Sequence, residues 1–343
     1  MKQFHYDTPF TLETGDILPS LTISYHTYGT LNPDKSNVIW ICHALTANSD
    51  VADWWKGMVG KGLLFDTEQY FVICANILAS TYGTTGPLSI NAATGHPFYN
   101  TFPFITIRDM VQANILLRQH LQIEHIYLLA GGSMGGYQAM EWAVMEKDKI
   151  KNLFLIATSP TESAWGIAVH AAQRLAIEAD ITWNEPHEHA GQRGLKAARA
   201  IGLLSYRNYS ILKEKQEDTD VNKLDDYKAA SYINYQGNKL VNRFNAYSYW
   251  ILTKAMDSHH LARGRAKTVE AVLQSIHQPT LIIGISSDIL CPVIEQEHMA
   301  ENIPNSTLEI IDSPYGHDGF IVEVEKITAH VTKWLDEKAS NKK

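Results

Sequence analysis

The stretch Gly131-Gly132-Ser133-Met134-Gly135-Gly136 follows the apolar run at residues 126–130 and precedes a helix-like run. Gly131, Ser133 and Gly135 fit the pattern G-x-S-x-G, which is typical of a sharp strand-to-helix turn that exposes a nucleophilic serine. The turn is so tight that the residues two before and two after the serine must be small. The serine Oγ then lies at a helix N-terminus, where backbone N–H groups can stabilise a developing oxyanion. The sequence therefore predicts a nucleophile elbow at Ser133.

Other glycine-rich motifs fit this stretch less well. A dinucleotide-binding fingerprint needs a glycine where Ser133 stands, and a P-loop needs a lysine where Tyr137 stands. A flexible glycine-rich turn without a chemical role remains the alternative interpretation. The strand-like run before it and the helix-like run after it favour the elbow.

The wider pattern alternates short apolar runs with helix-like segments. Strands are predicted where the runs are rich in β-branched and aromatic residues, at 38–42, 70–75, 126–130, 153–157, 281–285 and 308–311. Most of these runs are continuously apolar, as strands covered on both faces are. Helices are predicted at 107–121, 134–145 and 321–335, and the alternating segment 10–28 predicts an antiparallel start. The chain is therefore expected to form an α/β fold with a mostly parallel central sheet.

One connection, residues 158–280, is far longer than an ordinary loop between a strand and a helix. It is rich in Tyr and Trp and has helix-like segments at 164–178, 190–205, 224–235, 246–256 and 266–276. We predict a helical lid, inserted after the sixth strand, over the carboxyl edge of the sheet. The implied units are 1–160 and 277–343 for the two parts of the core and 161–276 for the lid. The polar tail, 337–343, is expected to fray.

Two positions later in the chain can complete a catalytic triad with Ser133. Asp288 and His317 each follow a predicted strand, at the sheet edge where α/β proteins carry their sites. His317 would then be the general base, and Asp288 would fix its tautomer and stabilise the imidazolium. Glu162, after an earlier strand, is a rival for the role of the acid.

The oxyanion is expected to be bound by backbone N–H groups. One belongs to Met134, directly after the serine. The other is predicted in the loop His43-Ala44-Leu45-Thr46 after the strand at 38–42, where the N–H of Leu45 is the candidate. A simple turn at the end of that strand is the alternative.

Charge and composition argue against several classes of protein. A net charge of −8 over 343 residues is unfavourable for binding nucleic acid or anionic membranes by bulk electrostatics. No stretch approaches 18 uninterrupted apolar residues, so no membrane span is predicted. The N-terminus lacks an apolar signal-peptide core, which predicts a cytoplasmic protein.

Cysteines and histidines show no metal-binding spacing. The three cysteines form no CxxC pair, and Cys42 and Cys74 are predicted to be buried, reduced thiols. No HExxH motif occurs. The lid histidines His187, His189, His259 and His260 lie in polar segments and are predicted to be solvated.

Together these segments resemble the homoserine O-acetyltransferase family, which has the α/β-hydrolase fold. The resemblance runs nearly end to end and is carried by HALT at 43–46, GTTGP at 83–87, FPFITIRDMV at 102–111, GGSMGGYQAMEWA at 131–143, ARAIGLLSY at 198–206, SSDILCP at 286–292 and YGHDGF at 315–320. It implies ping-pong transfer of an acetyl group from acetyl-CoA to the side-chain hydroxyl of L-homoserine, in methionine biosynthesis. It also implies small-molecule substrates only, no metal or prosthetic group, and a homodimer formed through the lid.

The resemblance supports the triad and adds three residues. It implies that Arg199 grips the substrate carboxylate, that Asp318 receives the substrate amine and that Tyr206 lies near the acyl and substrate site. Arg199 and Tyr206 are seven residues apart, about two helical turns, so both side chains can point into one cavity. By spacing alone, Arg199 also fits a solvated basic helix face with Arg193 and Lys196. Asp318 also fits a helix N-cap.

Two positions depart from the family pattern. Residues 79–82 replace a stretch that usually resembles Gly-Gly-Cys, and Cys291 stands where an aromatic residue is common. These departures concern the acyl donor, so succinyl-CoA remains an alternative donor. The sequence also leaves L-serine open as an alternative acceptor. A serine esterase of the same fold is a second hypothesis, because a triad forms the same acyl-enzyme in transfer and in hydrolysis. A noncatalytic binding protein is a third, which an intact triad argues against.

Overall fold

Eight strands form the central sheet of the computed structural model, which describes residues 1–340. They are β1 Lys2–Tyr6, β2 Leu21–Tyr28, β3 Val38–Cys42, β4 Phe71–Ala75, β5 Leu128–Gly132, β6 Leu153–Ile156, β7 Thr280–Ile285 and β8 Ser306–Ile311. Their order across the sheet is β1-β2-β4-β3-β5-β6-β7-β8. From β4 to β8 neighbouring strands are parallel, whereas β2 pairs antiparallel with both β1 and β4. The predicted α/β fold with a mostly parallel sheet is confirmed.

The central strands are buried along their whole length because helices cover both faces of the sheet. Every residue of β3 is buried, and its side chains alternate between two hydrophobic clusters. Trp40 packs with Trp142 in one cluster, and Ile39 and Ile41 belong to the other with Trp334. This two-sided burial explains the continuous apolar runs of the sequence.

The helices and the short elements complete the described chain. The α-helices within residues 1–340 are α1 Val51–Trp54, α2 Ile107–His120, α3 Met134–Met145, α4 Ala164–Glu178, α5 Gln192–Tyr206, α6 Tyr209–Gln216, α7 Lys228–Val241, α8 Ala246–Asp257, α9 Val269–Leu273, α10 Val293–Asn302, α11 Gly319–Val322 and α12 Val324–Ser340. Short 3-10 helices lie at Tyr99–Thr101, Lys147–Lys149 and Gly316–Asp318. Two-residue strands pair Phe10–Thr11 with Ile17–Leu18, Val59–Gly60 with Phe65–Asp66, and Ile90–Asn91 with His96–Pro97.

Helices α4 to α9 form the connection between β6 and β7, which we call the helical insertion (residues 161–276). The end of α5 packs against the loop that follows β8, since a Cβ on Gly316 would lie 2.8 Å from the carbonyl oxygen of Tyr206. The insertion thus contacts the segment that holds His317. Its division from the core at 160 and 277 stays a prediction.

Three further expectations concern the C-terminus, the cysteines and membrane spans. The C-terminal residues 337–340 continue α12 instead of fraying, and 341–343 lie outside the described residues. All three cysteines are free and buried, as predicted for Cys42 and Cys74. In the part of the chain that the structure describes, no helix has both the length and the apolar character needed to cross a bilayer.

Candidate active site

Ser133 lies in a strained turn between β5 and α3. Its backbone has φ 55° and ψ −129°, a conformation that costs a non-glycine residue about 1–3 kcal/mol. A Cβ on Gly131 would lie 2.1 Å from the carbonyl oxygen of Gly135, and a Cβ on Gly135 would lie 2.1 Å from that of Cys42. Both flanking positions therefore require glycine, for the reason the motif implied.

Strand β6 holds this turn from the side. The amide of Ser133 donates to the carbonyl oxygens of Ile156 and Ala157, at 3.1 and 3.2 Å, and the hydroxyl of Thr158 donates to its carbonyl oxygen at 2.8 Å. Strand β5 extends through Gly131 and Gly132, beyond the apolar run at 126–130 that predicted it. Both glycines pair with β6, and Gly131 also pairs with β3, which keeps them extended despite their low strand propensity.

The side chains of Ser133, His317 and Asp288 are hydrogen-bonded in series. His317 Nε2 lies 2.8 Å from Ser133 Oγ, and His317 Nδ1 lies 2.6 Å from Asp288 Oδ2. The other carboxylate oxygen, Oδ1, accepts from the amides of Leu290 and Cys291 at 2.8 and 3.0 Å. These two amides fix the orientation of the carboxylate. The structure thus brings together the three residues predicted for the triad, in an order suited to general-base catalysis.

The charges around His317 favour its protonated form. Burial alone would lower the pKa of His317, but the charge of Asp288 and the hydrogen bond to it outweigh burial. The charges of Asp318 and Glu162 act in the same direction, and the pKa of His317 is raised above its ordinary value. The site is thus arranged to stabilise the imidazolium that forms when His317 accepts a proton.

Glu162, the rival acid, makes its hydrogen bonds elsewhere. Its Oε2 accepts from the hydroxyl of Tyr137 at 3.1 Å, and its Oε1 accepts from the amide of Ser163 at 3.1 Å. Burial raises the pKa of the Glu162 carboxyl. Because His317 Nδ1 is bonded to Asp288, the geometry favours Asp288 as the acid.

The loop after β3 packs against the first turn of α3. Gln138 donates from Nε2 to the carbonyl oxygens of His43 and Met134, at 3.1 and 3.3 Å. Leu45 is buried in this loop. The two candidate oxyanion donors, the amides of Leu45 and Met134, thus belong to segments that one side chain ties together.

Arg199 and Tyr206, predicted to share a cavity, lie together beside the triad. The guanidinium carbon of Arg199 is 5.6 Å from the centre of the Tyr206 ring, and that ring is 6.0 Å from the His317 ring, centre to centre. Arg199 is half-buried, whereas Arg193 on the same helix is exposed. Its contact with the Tyr206 ring sets Arg199 apart from Arg193, whereas Lys196 is half-buried like Arg199.

Asp318 has a partner that the sequence did not indicate. Arg207 Nε lies 3.0 Å from Asp318 Oδ2, and the two side chains are 24% and 17% exposed. Asp318 stands at the N-terminus of α11, but its side chain makes no capping hydrogen bond. The structure thus does not support capping by the Asp318 side chain. Arg207 directly follows ARAIGLLSY, and its position next to Tyr206 was the only feature of the sequence that could have indicated a role at the site.

The two departures from the family pattern both lie next to the site. The sulfur of Cys291 lies within 4.8 Å of a carboxylate oxygen of Asp288 and of a ring nitrogen of His317. Burial raises the pKa of the Cys291 thiol well above its ordinary value. The hydroxyl of Tyr82, in the divergent segment 79–82, donates to the carbonyl oxygen of Thr46 at 3.4 Å. Arg243 of the insertion contacts this same hydroxyl and carbonyl. Arg243 is far from Thr46 and Tyr82 in the sequence, so no local pattern indicated this contact between the insertion and the loop.

One prediction about the lid histidines is wrong. His259 is buried and stacks on Tyr137, with ring centres 4.1 Å apart and planes at 12°. Burial lowers its pKa to about 3. The polar neighbours of His259 in sequence suggested solvation, but His259 follows α8 and packs against Tyr137 of α3.

Comparison with known proteins places the chain in a family. The sequence profile described as the alpha/beta hydrolase fold matches residues 37–324. A homoserine O-acetyltransferase of Cyclobacterium marinum is 45% identical over 324 residues, which cover 94% of this chain and 92% of that protein. A second, from Chlorobium chlorochromatii, is 45% identical over 96% of this chain and 93% of its own length.

Solved structures agree with these sequence matches. The crystal structure of homoserine O-acetyltransferase from Bacillus anthracis superposes with a TM-score of 0.91 at 26% identity, covering 97% of this chain and 96% of that chain. An acetylester hydrolase from Corynebacterium glutamicum has a TM-score of 0.86 at 21% identity, over 98% and 95% of the chains, and shares the fold. On the strength of its near full-length sequence matches, the chain belongs to the homoserine O-acetyltransferase family of the α/β-hydrolase fold.

Proposed function

We propose that this protein transfers an acetyl group from acetyl-CoA to the side-chain hydroxyl of L-homoserine through an acetyl-Ser133 intermediate. The observation that carries the proposal is the hydrogen-bonded series of Ser133, His317 and Asp288. Membership of the family supports acetyl as the transferred group and homoserine as the acceptor, because the curated relatives are named for that reaction.

In the first half-reaction, His317 Nε2 takes the proton of Ser133 as Oγ attacks the thioester carbonyl carbon. The amides of Met134 and Leu45 donate to the tetrahedral oxyanion. The C–S bond then breaks, and His317 returns its proton to the leaving CoA thiolate. Asp288 stabilises the imidazolium throughout, and the product is acetyl-Ser133. Each step uses groups of this chain alone.

In the second half-reaction, the homoserine hydroxyl replaces the thiol. His317 removes the hydroxyl proton, the oxygen attacks the acetyl carbon, and the bond to Ser133 Oγ breaks as the serine regains its proton. We assign the substrate carboxylate to Arg199, whose planar guanidinium suits bidentate binding. The amine is assigned to Asp318. The ring of Tyr206 lies near both Arg199 and His317, and we assign it to the wall of the acceptor site.

Transfer competes with hydrolysis of the same intermediate. An acceptor held in place reacts with a large effective concentration, and a covered site admits less water. The insertion supports transfer because α5 packs against the His317 loop and carries Arg199. A serine esterase remains the competing function, since the shared fold alone does not choose between the two.

We also propose a cytoplasmic homodimer that forms through the insertion. Trp165, Leu175 and Tyr235 on the insertion are 53%, 65% and 62% exposed, and we assign these apolar side chains to the interface. Sedimentation analysis of the purified protein tests this assembly. A dimer that dissociates on Leu175→Lys substitution supports it, and a monomer at micromolar concentration contradicts it.

The activity is tested by incubating purified protein with acetyl-CoA or succinyl-CoA, and with L-homoserine or L-serine. Acylated amino acid and free acid are measured in parallel. The proposal expects acetyl-CoA with homoserine to be the fastest pair, with little acetate. Release of acetate at a rate independent of the acceptor would identify an esterase instead. Ser133→Ala is the blank for uncatalysed reaction.

A further inference from the structure

His43 is a buried histidine that the mechanism above does not use. It opens the loop that contains Leu45, and none of its surface is exposed. The amide of Ile77 donates to its Nε2 at 3.1 Å, and its Nδ1 lies 2.8 Å from the carbonyl oxygen of Ala44. A backbone N–H can only donate, so Nε2 must be the unprotonated nitrogen. Nδ1 then carries the proton and donates it to Ala44.

The surroundings keep His43 in this form at neutral pH. Burial lowers its pKa to about 4, although the hydrogen bond to Ala44 acts in the opposite direction. A neutral imidazole with one nitrogen accepting from Ile77 has a single tautomer available to it. The donor that faces Ala44 is therefore permanent, unlike that of a histidine that titrates near neutrality.

The carbonyl of Ala44 and the N–H of Leu45 belong to one peptide unit. That unit is planar, so its oxygen and its N–H point in fixed, opposite directions. The oxygen of Ala44 accepts from His43 Nδ1 at 2.8 Å and from the amide of Ala47 at 3.1 Å, and the hydrogen bonds that hold this oxygen set the direction of the N–H of Leu45. Donation to the carbonyl also polarises the peptide, which strengthens the same N–H as a donor.

We infer that His43 is a positioning residue for the oxyanion hole, acting through the peptide between Ala44 and Leu45. The inference rests on the proposed function, in which Leu45 is an oxyanion donor. A second contact supports it, because the carbonyl of His43 accepts from Gln138, whose amide also binds the carbonyl of Met134. The side chain of His43 thus helps to orient the Leu45 donor, and its main chain is tied through Gln138 to the first turn of α3.

The expected effect is on both half-reactions, since each forms an oxyanion at the same place. Removing an oxyanion donor outright typically costs about 10²–10³ in kcat. Loosening the Leu45 donor should cost less, about 10- to 100-fold, in the acylation and deacylation of Ser133 alike. Binding of the amino-acid acceptor should change little, because His43 is not among the residues assigned to it.

Two amide substitutions separate this role from simple packing. In His43→Asn, the side-chain amide can take the place of Nδ1 and donate to Ala44, but it cannot reach Ile77. In His43→Gln, the side-chain oxygen can take the place of Nε2 and accept from Ile77, while the donor to Ala44 is lost. Each variant loses one of the two hydrogen bonds, so their melting temperatures serve as the control for general damage.

The measurement is the burst of p-nitrophenol released when each variant is mixed with p-nitrophenyl acetate. The inference expects the Gln variant to acylate at least about 10-fold more slowly than the Asn variant at similar melting temperatures. Equal rates, or rates that follow the melting temperatures, would overturn it. In ¹⁵N-histidine spectra at pH 7, the His43 signal should show a protonated Nδ1, and a protonated Nε2 would also overturn it.

This assay needs neither CoA nor an amino acid. A clear difference between the Asn and Gln variants in a protein that does not acetylate homoserine would contradict the proposed acceptor and still support the role of His43. Normal homoserine acetylation with equal bursts in the two variants would support the proposed acceptor and contradict the role of His43.

Discussion

The guanidinium of Arg207 lies against the carboxylate of Asp318, with 3.0 Å between Nε and Oδ2. The residue assigned to the substrate amine therefore already faces a cation. A carboxylate accepts through two oxygens, and this contact leaves Oδ1 for a substrate ammonium. We expect Arg207 to hold Asp318 in orientation and the substrate to bind beside it.

The assignment of the acid predicts opposite results for two carboxyl substitutions. Asp288→Asn should lower kcat about 10⁴-fold, as loss of the acid does in comparable triads, because the imidazole is then left in the wrong tautomer. Glu162→Gln should keep kcat within about tenfold, since Glu162 bonds to Tyr137 and Ser163. Steady-state transfer assays, with melting curves for both variants, decide the matter. A larger loss for Glu162→Gln would transfer the role of the acid to Glu162.

The acceptor site predicts a selective defect for Arg199→Ala. Losing one partner of a desolvated charge pair costs about 2–5 kcal/mol. Each 1.4 kcal/mol is tenfold, so kcat/KM for homoserine should fall about 10²-fold or more. Acylation by acetyl-CoA should be nearly unchanged, because it uses Ser133 and His317.

Arg193→Ala is the matched control for this experiment. It removes the same side chain from the exposed part of the same helix. If Arg199→Ala leaves transfer to homoserine intact, as Arg193→Ala should, the carboxylate has another partner. If Arg199→Ala slows acylation and transfer equally, its role is structural or concerns the CoA entrance.

The pH dependence follows from the raised pKa of His317. Burial is outweighed by the charge and hydrogen bond of Asp288, so protonation of the imidazole persists above its ordinary pKa of 6.5. His317 must be neutral to accept a proton, and kcat/KM should therefore fall as the pH is lowered through a value above 6.5. In Asp288→Asn, the residual activity should fall at a lower pH because the negative charge is gone. Unchanged acid limbs in pH–rate profiles of the two proteins would contradict this coupling.

The elbow predicts a stability difference between two glycine substitutions. A Cβ at Gly135 would lie 2.1 Å from the carbonyl oxygen of Cys42, a backbone atom that cannot rotate away. Gly135→Ala should destabilise the protein by about 3 kcal/mol or more. Gly95 has φ +72° with nothing near its Cβ position, so Gly95→Ala should cost only about 1 kcal/mol of backbone strain. Denaturant unfolding measures both, and equal losses would contradict the steric account.

The sequence predicted best the elements whose environment is uniform. Strands β3 and β6 are buried on both faces and read as continuous apolar runs, and their bounds agree with expectation within one residue. Helices α3 and α4 were predicted with the bounds that the structure has. By contrast, β1 was missed because Lys2–Tyr6 is largely exposed and polar, and pairing with β2 holds it in place.

For the triad, the elbow motif and the positions after the strands predicted which side chains meet, but they did not predict the contacts that surround the site. Ser133, Asp288 and His317 follow strands whose carboxyl ends share one edge, so their proximity follows from the fold. The contacts of Arg207 with Asp318 and of Arg243 with Thr46 depend on how the insertion docks. No local pattern encodes that docking.

The central claim is the acetyl-Ser133 intermediate, and mass spectrometry of the enzyme after mixing with acetyl-CoA alone tests it most directly. We predict one added acetyl group on the peptide that contains Ser133, its disappearance on adding homoserine, and its absence in Ser133→Ala. That variant should also lose about 10⁶-fold in kcat, as removal of a triad nucleophile does. An enzyme that acetylates homoserine but never carries acetyl on Ser133 would contradict the account and indicate direct transfer between the two substrates.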